Sequence, residues 1–181
     1  MKTKTVLFWI CMVCFGWICW NCEPIRSYSE IPEIHFKKLA FEDRWDTLSK
    51  KFVNTPILTF SFIDGDGDLG VRPRDIDSIS KIHYTWYQKL PDKTYEPFQF
   101  LDGSIGQRSD IPYSSVMDKS EAQNKTLKGT IEIEMVMPTI FQGMDTMRIE
   151  FYIVDRARNQ SIIEYTPDFS ILSPVGTEII N

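Results

Sequence analysis

Three segments of this chain alternate apolar and polar residues with a period of two, and this limits what the chain can fold into. Leu58, Phe60 and Phe62 alternate with Thr59 and Ser61; Ile131, Ile133, Met135 and Met137 alternate with Glu132 and Glu134; Met147, Ile149, Phe151 and Ile153 alternate with Arg148 and Glu150. Successive strand side chains point to opposite faces, so each segment buries one face and wets the other. Half-wet strands belong to antiparallel sheets. Ile34 to Ala40, Ile79 to Lys89, Tyr95 to Leu101, Ile111 to Met117 and Ile162 to Leu172 bring the total to about eight strands, separated by Gly, Pro, Asp and Asn clusters. Glu42 to Phe52 reads as a helical turn or an irregular crossing. The pattern predicts an all-β fold, an immunoglobulin-like antiparallel β-sandwich of about seven to nine strands, over residues 33–181, with no repeats and no second domain. Trp86 falls on the third major strand, where such sandwiches often keep a core tryptophan.

The N-terminus carries a different signal. Lys2 and Lys4 precede an apolar run from Val6 to Trp20, the layout of a secretion signal and shorter than the roughly 20 residues of a membrane-spanning helix. All 4 cysteines (Cys11, Cys14, Cys19, Cys22) lie in this leader. Their C-x-x-C pairs stand too close together for a zinc ribbon and lack polar support, which argues against a metal there. No A-x-A-like cleavage site is present. Cys22 instead ends the apolar run, where a lipoprotein signal is cut and the new N-terminal cysteine acylated, and Glu23-Pro24 open a polar segment at once. The residues before it, Cys19-Trp20-Asn21, depart from the usual aliphatic and small lipobox residues. The expected organisation is a lipoprotein signal over residues 1–21, a tether over 22–32 and the sandwich beyond, held to a membrane by acyl chains and without disulfides.

Lys and Arg number 20 against 25 for Asp and Glu, with no basic block, so the electrostatic footprint of nucleic-acid binding is missing. Catalytic signatures are missing too. His35 and His83 stand within strands with no HExxH or cysteine neighbour, which favours solvent-facing or hydrogen-bonded roles. The string GSIG at Gly103 to Gly106 lacks the spacing of a nucleophile elbow. The chain therefore reads as a non-enzyme. Asn124-Lys125-Thr126 and Asn159-Gln160-Ser161 are sequons, relevant only in a eukaryotic source.

One loop stands out. FSFIDGDGDLG, residues 60–70, runs a strand into Asp64, Asp66 and Asp68. An EF-hand would need glycine sixth and glutamate twelfth from Asp64, where this chain has Leu69 and Asp75, and helices on both sides. Calcium needs only six to eight suitably placed oxygens, and Gly65, Gly67 and Gly70 permit a backbone that turns the aspartates inward. In an immunoglobulin-like sandwich the B-C and F-G loops share one end, so Asp155 and Asn159 of DRARNQ could face the three aspartates, and one reading of the group is a Ca2+ site. The alternatives are a solvated turn, or neutralisation by Arg156 or Arg158.

The chain resembles a group of uncharacterised Bacteroidetes cell-envelope lipoproteins in its Cys-led tether, PEI at Pro32 to Ile34, DGDGDLG at Asp64 to Gly70, LKGTIEIE at Leu127 to Glu134, YIVDRARNQS at Tyr152 to Ser161, and Thr166-Pro167. The resemblance implies a lipid-anchored envelope protein, at the outer membrane, and carries no established activity. The expected function is a non-catalytic binding or scaffolding module whose partners are the membrane, through acylated Cys22, and a protein or glycan at the envelope. The competing expectation is a metal-dependent enzyme, or enzyme accessory, centred on Asp64, Asp66, Asp68 and Asp155.

Overall fold

A computed structural model describes residues 28–47, 50–70, 81–111, 126–135, 137 and 145–181. The leader, Cys22 and most of the tether lie outside these residues, as do Asn124 and the stretch from Pro112 to Met117. Among the described residues every regular element is a strand: β1 (Glu33–Asp46), β2 (Lys51–Asp64), β3 (Lys81–Lys89), β4 (Tyr95–Pro97), β5 (Gly106–Asp110), β6 (Leu127–Glu134), β7 (Thr146–Val154), β8 (Glu164–Tyr165), β9 (Phe169–Ser170) and β10 (Glu178–Ile180). They form two antiparallel sheets. The first has the order β10-β1-β2-β6; the second has the order β4-β3-β7-β8, with β5 also on β3 and β9 on β7.

The alternating segments build the core as expected, except that Thr59, expected on the wet face of β2, is buried as well. Leu58, Phe60 and Phe62 of β2, Ile131 and Ile133 of β6, and Met147, Ile149, Phe151 and Ile153 of β7 are all buried. Phe60 meets Phe151 across the two sheets at 5.2 Å between ring centroids. Trp86 is fully buried and packs edge-on against Phe169 at 5.9 Å, while Phe169 also touches Phe41 of the other sheet at 5.8 Å. In β1 the register slips between Phe36 and Lys38. This β-bulge lets Ile34 and Phe36 before it and Leu39 and Phe41 after it face the same core, a parity shift that an unbroken pleat forbids.

Several strand expectations change. Glu42 to Asp46 and Lys51 to Phe52 are neither helical nor irregular: β1 and β2 pair as far as Asp46 and Lys51, so these residues are the outer end of a long hairpin. Of Tyr95 to Leu101 only Tyr95–Pro97 is strand, and Phe100 turns to accept from Gly103. A strand that the pattern did not predict lies at Gly106–Asp110, just before Ile111. Ile162 to Leu172 is broken into β8 and β9. There, Ser161 and Thr166 hydroxyls accept from the Ile153 and Ile149 amides at 3.1 and 2.9 Å, so side chains occupy ladder positions.

Truncation separates core from periphery. Phe60→Ala is expected to lower unfolding free energy by about 3–5 kcal/mol. Phe52→Ala at the hairpin end, where Phe52 is 65% exposed and touches Trp45 edge-on, should cost about 1 kcal/mol or less. Urea denaturation of the two variants measures both, and equal losses would contradict this core.

Candidate metal centre

The core faces of β2 and β7 do not stop at their last apolar residues. Inward positions along β2 run Leu58, Phe60, Phe62 and then Asp64; along β7 they run Ile149, Phe151, Ile153 and then Asp155. Both aspartates have no exposed surface. Because β2 and β7 belong to facing sheets, the pleat directs one carboxylate from each toward the same end of the core.

The loop after β2 adds two more. Asp64, Asp66, Asp68 and Asp155 each offer a carboxylate oxygen, and these oxygens all lie within 4.8 Å of one another. The two loops expected to share one end of the sandwich do so. Gly67 adopts φ 71°, a left-handed conformation that suits glycine and turns Asp68 back toward the cluster. The Leu69 amide donates to Asp64 Oδ2 at 2.9 Å, and the Ala157 amide donates to Asp68 Oδ2 at 2.8 Å, tying the two loops together.

Asn159 reaches the site through Asp155. Its backbone amide donates to Asp155 Oδ1 at 2.7 Å and its side-chain amide to Asp155 Oδ2 at 2.9 Å, which orients that carboxylate. The four clustered groups are the carboxylates alone, with Asn159 behind them. Arg156 and Arg158, offered by the sequence as alternative neutralising partners, form no ion pair with these aspartates among the described residues. Arg158 is exposed, and Arg156 acts on Asp68 only as a weak, more distant charge.

The electrostatics follow from this shortage of positive charge. Burial pushes the Asp64 carboxyl up to about 7, Asp66 and Asp68 push it the same way, and the Leu69 amide opposes them. Asp68 is raised as well, first by burial and then by Asp155 and Asp66. Asp64 Oδ1 and Asp68 Oδ1 are buried without a hydrogen-bond partner. A buried unpartnered carboxylate oxygen is costly, and a proton or a cation would relieve it. All four donors are oxygens, which suits a hard cation rather than a soft one.

Sequence reasoning did not foresee that the end of the tether packs on this loop. The Gly65 amide donates to the Ser29 carbonyl at 2.9 Å, and the Asn159 side-chain amide also reaches the Glu30 carbonyl at 3.4 Å. A Cβ at position 65 would collide with the Ser29 carbonyl, so this glycine serves close approach. No sequence signal marks Ser29 or Glu30 for this role.

The other candidates resolve into structure. His35 lies between Glu33 and Glu164, at 2.9 and 3.4 Å. His83 stacks on Tyr152 at 4.7 Å, beside a cavity of about 260 Å³ whose lining includes Thr85 and Arg108 and none of the four aspartates. Ser104 of GSIG donates to Asp102 at 2.7 Å within a turn.

An unfolded aspartate ionises near pH 3.9, whereas folded Asp64 keeps its proton up to about 7. Between these values the folded state binds the extra proton, so stability falls as pH rises through the window. Melting curves in a chelator from about pH 4 to about pH 7 should show wild type losing stability relative to Asp64→Asn. Parallel profiles would refute the assignment. No protein-family model, curated protein or solved structure matches this chain.

Proposed function

We propose that this protein is a non-enzymatic β-sandwich module of the cell envelope, lipid-anchored through Cys22 at the outer membrane, whose loop end binds calcium. The observation that carries the cation reading is Asp64, fully buried, with Oδ1 unpartnered, in a group of four carboxylates that no arginine neutralises by an ion pair among the described residues. Calcium accepts carboxylates in irregular loops, whereas magnesium holds to octahedral geometry and retains several waters, so calcium is the better fit to four protein carboxylates. Further oxygens would come from backbone carbonyls and water.

The sheet arrangement supports an immunoglobulin-like description, with β1, β2 and β6 facing β3 and β7 and with β8 and β9 following β7. The envelope part rests on the leader sequence and on the resemblance to Bacteroidetes lipoproteins. A cation-stiffened loop end on a tethered sandwich suits a binding or scaffolding role toward an envelope protein or glycan.

Calcium titration tests the cation. At a concentration about 100-fold above Kd, binding adds about 2.7 kcal/mol, which for a domain of this size raises the melting temperature by about 5–10 °C. Magnesium should do less, and Asp155→Asn should abolish most of the gain. No shift at millimolar calcium refutes the site. Mass spectrometry of the mature N-terminus tests the anchor: an acylated Cys22 is expected, and an unmodified Met1 rules it out.

A further inference from the structure

The last residues of the tether approach the carboxylate cluster at two points. Ser29 O accepts from the Gly65 amide at 2.9 Å, and Gly65 is the link between Asp64 and Asp66. Glu30 O accepts from the Asn159 side chain at 3.4 Å, and that same amide holds Asp155 Oδ2. Two further contacts secure the segment away from the carboxylates. Lys128 Nζ sits 3.6 Å over the Tyr28 ring, and Pro32 is buried. The backbone that docks the tether and the backbone that aims the carboxylates are therefore the same.

We infer that cation binding at Asp64, Asp66, Asp68 and Asp155 and docking of Tyr28–Pro32 are coupled, so that the cation controls how far the domain stands from its membrane anchor. This rests on the cation and Cys22 readings above. Four carboxylates without a cation repel one another and loosen the Gly65 turn; a bound cation draws them together and presents the Gly65 amide and Asn159 to the tether. Linkage makes the effect reciprocal: whatever docking gains from the cation, cation affinity gains from docking. The geometric consequence is large. With Tyr28 docked, the six residues from Cys22 to Ser27 reach at most about 22 Å from the anchor, whereas the eleven residues from Cys22 to Pro32 reach at most about 40 Å when the segment is released.

The test uses the full chain in detergent, with calcium chloride against EGTA. Hydrogen exchange at the Gly65 amide, the donor to Ser29, should slow at least tenfold in saturating calcium. Gly65→Ala, which puts a Cβ where the Ser29 carbonyl lies, should lower calcium affinity at least fivefold. Tyr28→Ala leaves Asp64, Asp66, Asp68 and Asp155 themselves unchanged and keeps the question open to measurement if Gly65→Ala misfolds; it should lower affinity two- to fivefold and speed exchange at Gly65. Calcium binding that leaves Gly65 exchange unchanged, with Tyr28→Ala affinity within twofold of wild type, overturns the coupling while the cation reading stands. Absence of calcium binding overturns both.

Discussion

Two carboxylates occupy positions that the β-pleat reserves for core side chains, and the loop end of the molecule is organised around them. Asp64 follows Phe62 on the inward face of β2, and Asp155 follows Ile153 on the inward face of β7. Asp64 cannot turn to solvent without reversing the face parity of β2, and reversal would expose a row of core residues; Asp155, the first residue after β7, is held inward by Asn159. The hydrophobic effect that seats Phe60 against Phe151 therefore also holds two acidic groups in a buried position. This is unfavourable in isolation, and the surrounding structure answers it with the Leu69 amide on Asp64 and the Asn159 amides on Asp155, while the Ala157 amide holds the neighbouring Asp68.

Those amides explain local sequence that would otherwise look arbitrary. The DRARN segment turns tightly, with the Asp155 amide donating to the Asn159 carbonyl at 3.1 Å and Arg158 at φ 73°. A non-glycine residue in that conformation carries some strain, which the two Asn159–Asp155 side-chain contacts offset. Ala157 needs no side chain in its role, because it contributes its backbone N–H to Asp68. Of the arginines on either side of Ala157, Arg158 is exposed and Arg156 only weakly opposes the rise at Asp68.

Much of the sandwich was legible because its central strands have one face wet and one dry. Legibility failed where that contrast disappears. From Glu42 to Phe52 the hairpin projects past the core, most residues are exposed, and no alternation is left to read. The segment after β7 loses its strand signal for another reason: Ile162 and Ile163 are both exposed, and pairing passes through the hydroxyls of Ser161 and Thr166. The β1 bulge breaks the period between Phe36 and Leu39, although the strand itself continues.

At the candidate site, the sequence alone determined which residues are acidic, that three of them alternate at the end of a strand, and that glycines between them permit a tight turn. It also supported, through the order of strands, that Asp155 would arrive at the same end. Only the tertiary structure decided that Asp64 and Asp155 are fully buried, that Asn159 orients Asp155, that neither arginine pairs with the cluster among the described residues, and that Ser29 and Glu30 lie against it. The reason is physical: period and spacing act along one strand and are written locally. Burial, charge balance and the path of the tether depend on residues brought together from distant parts of the chain, where no local pattern records them.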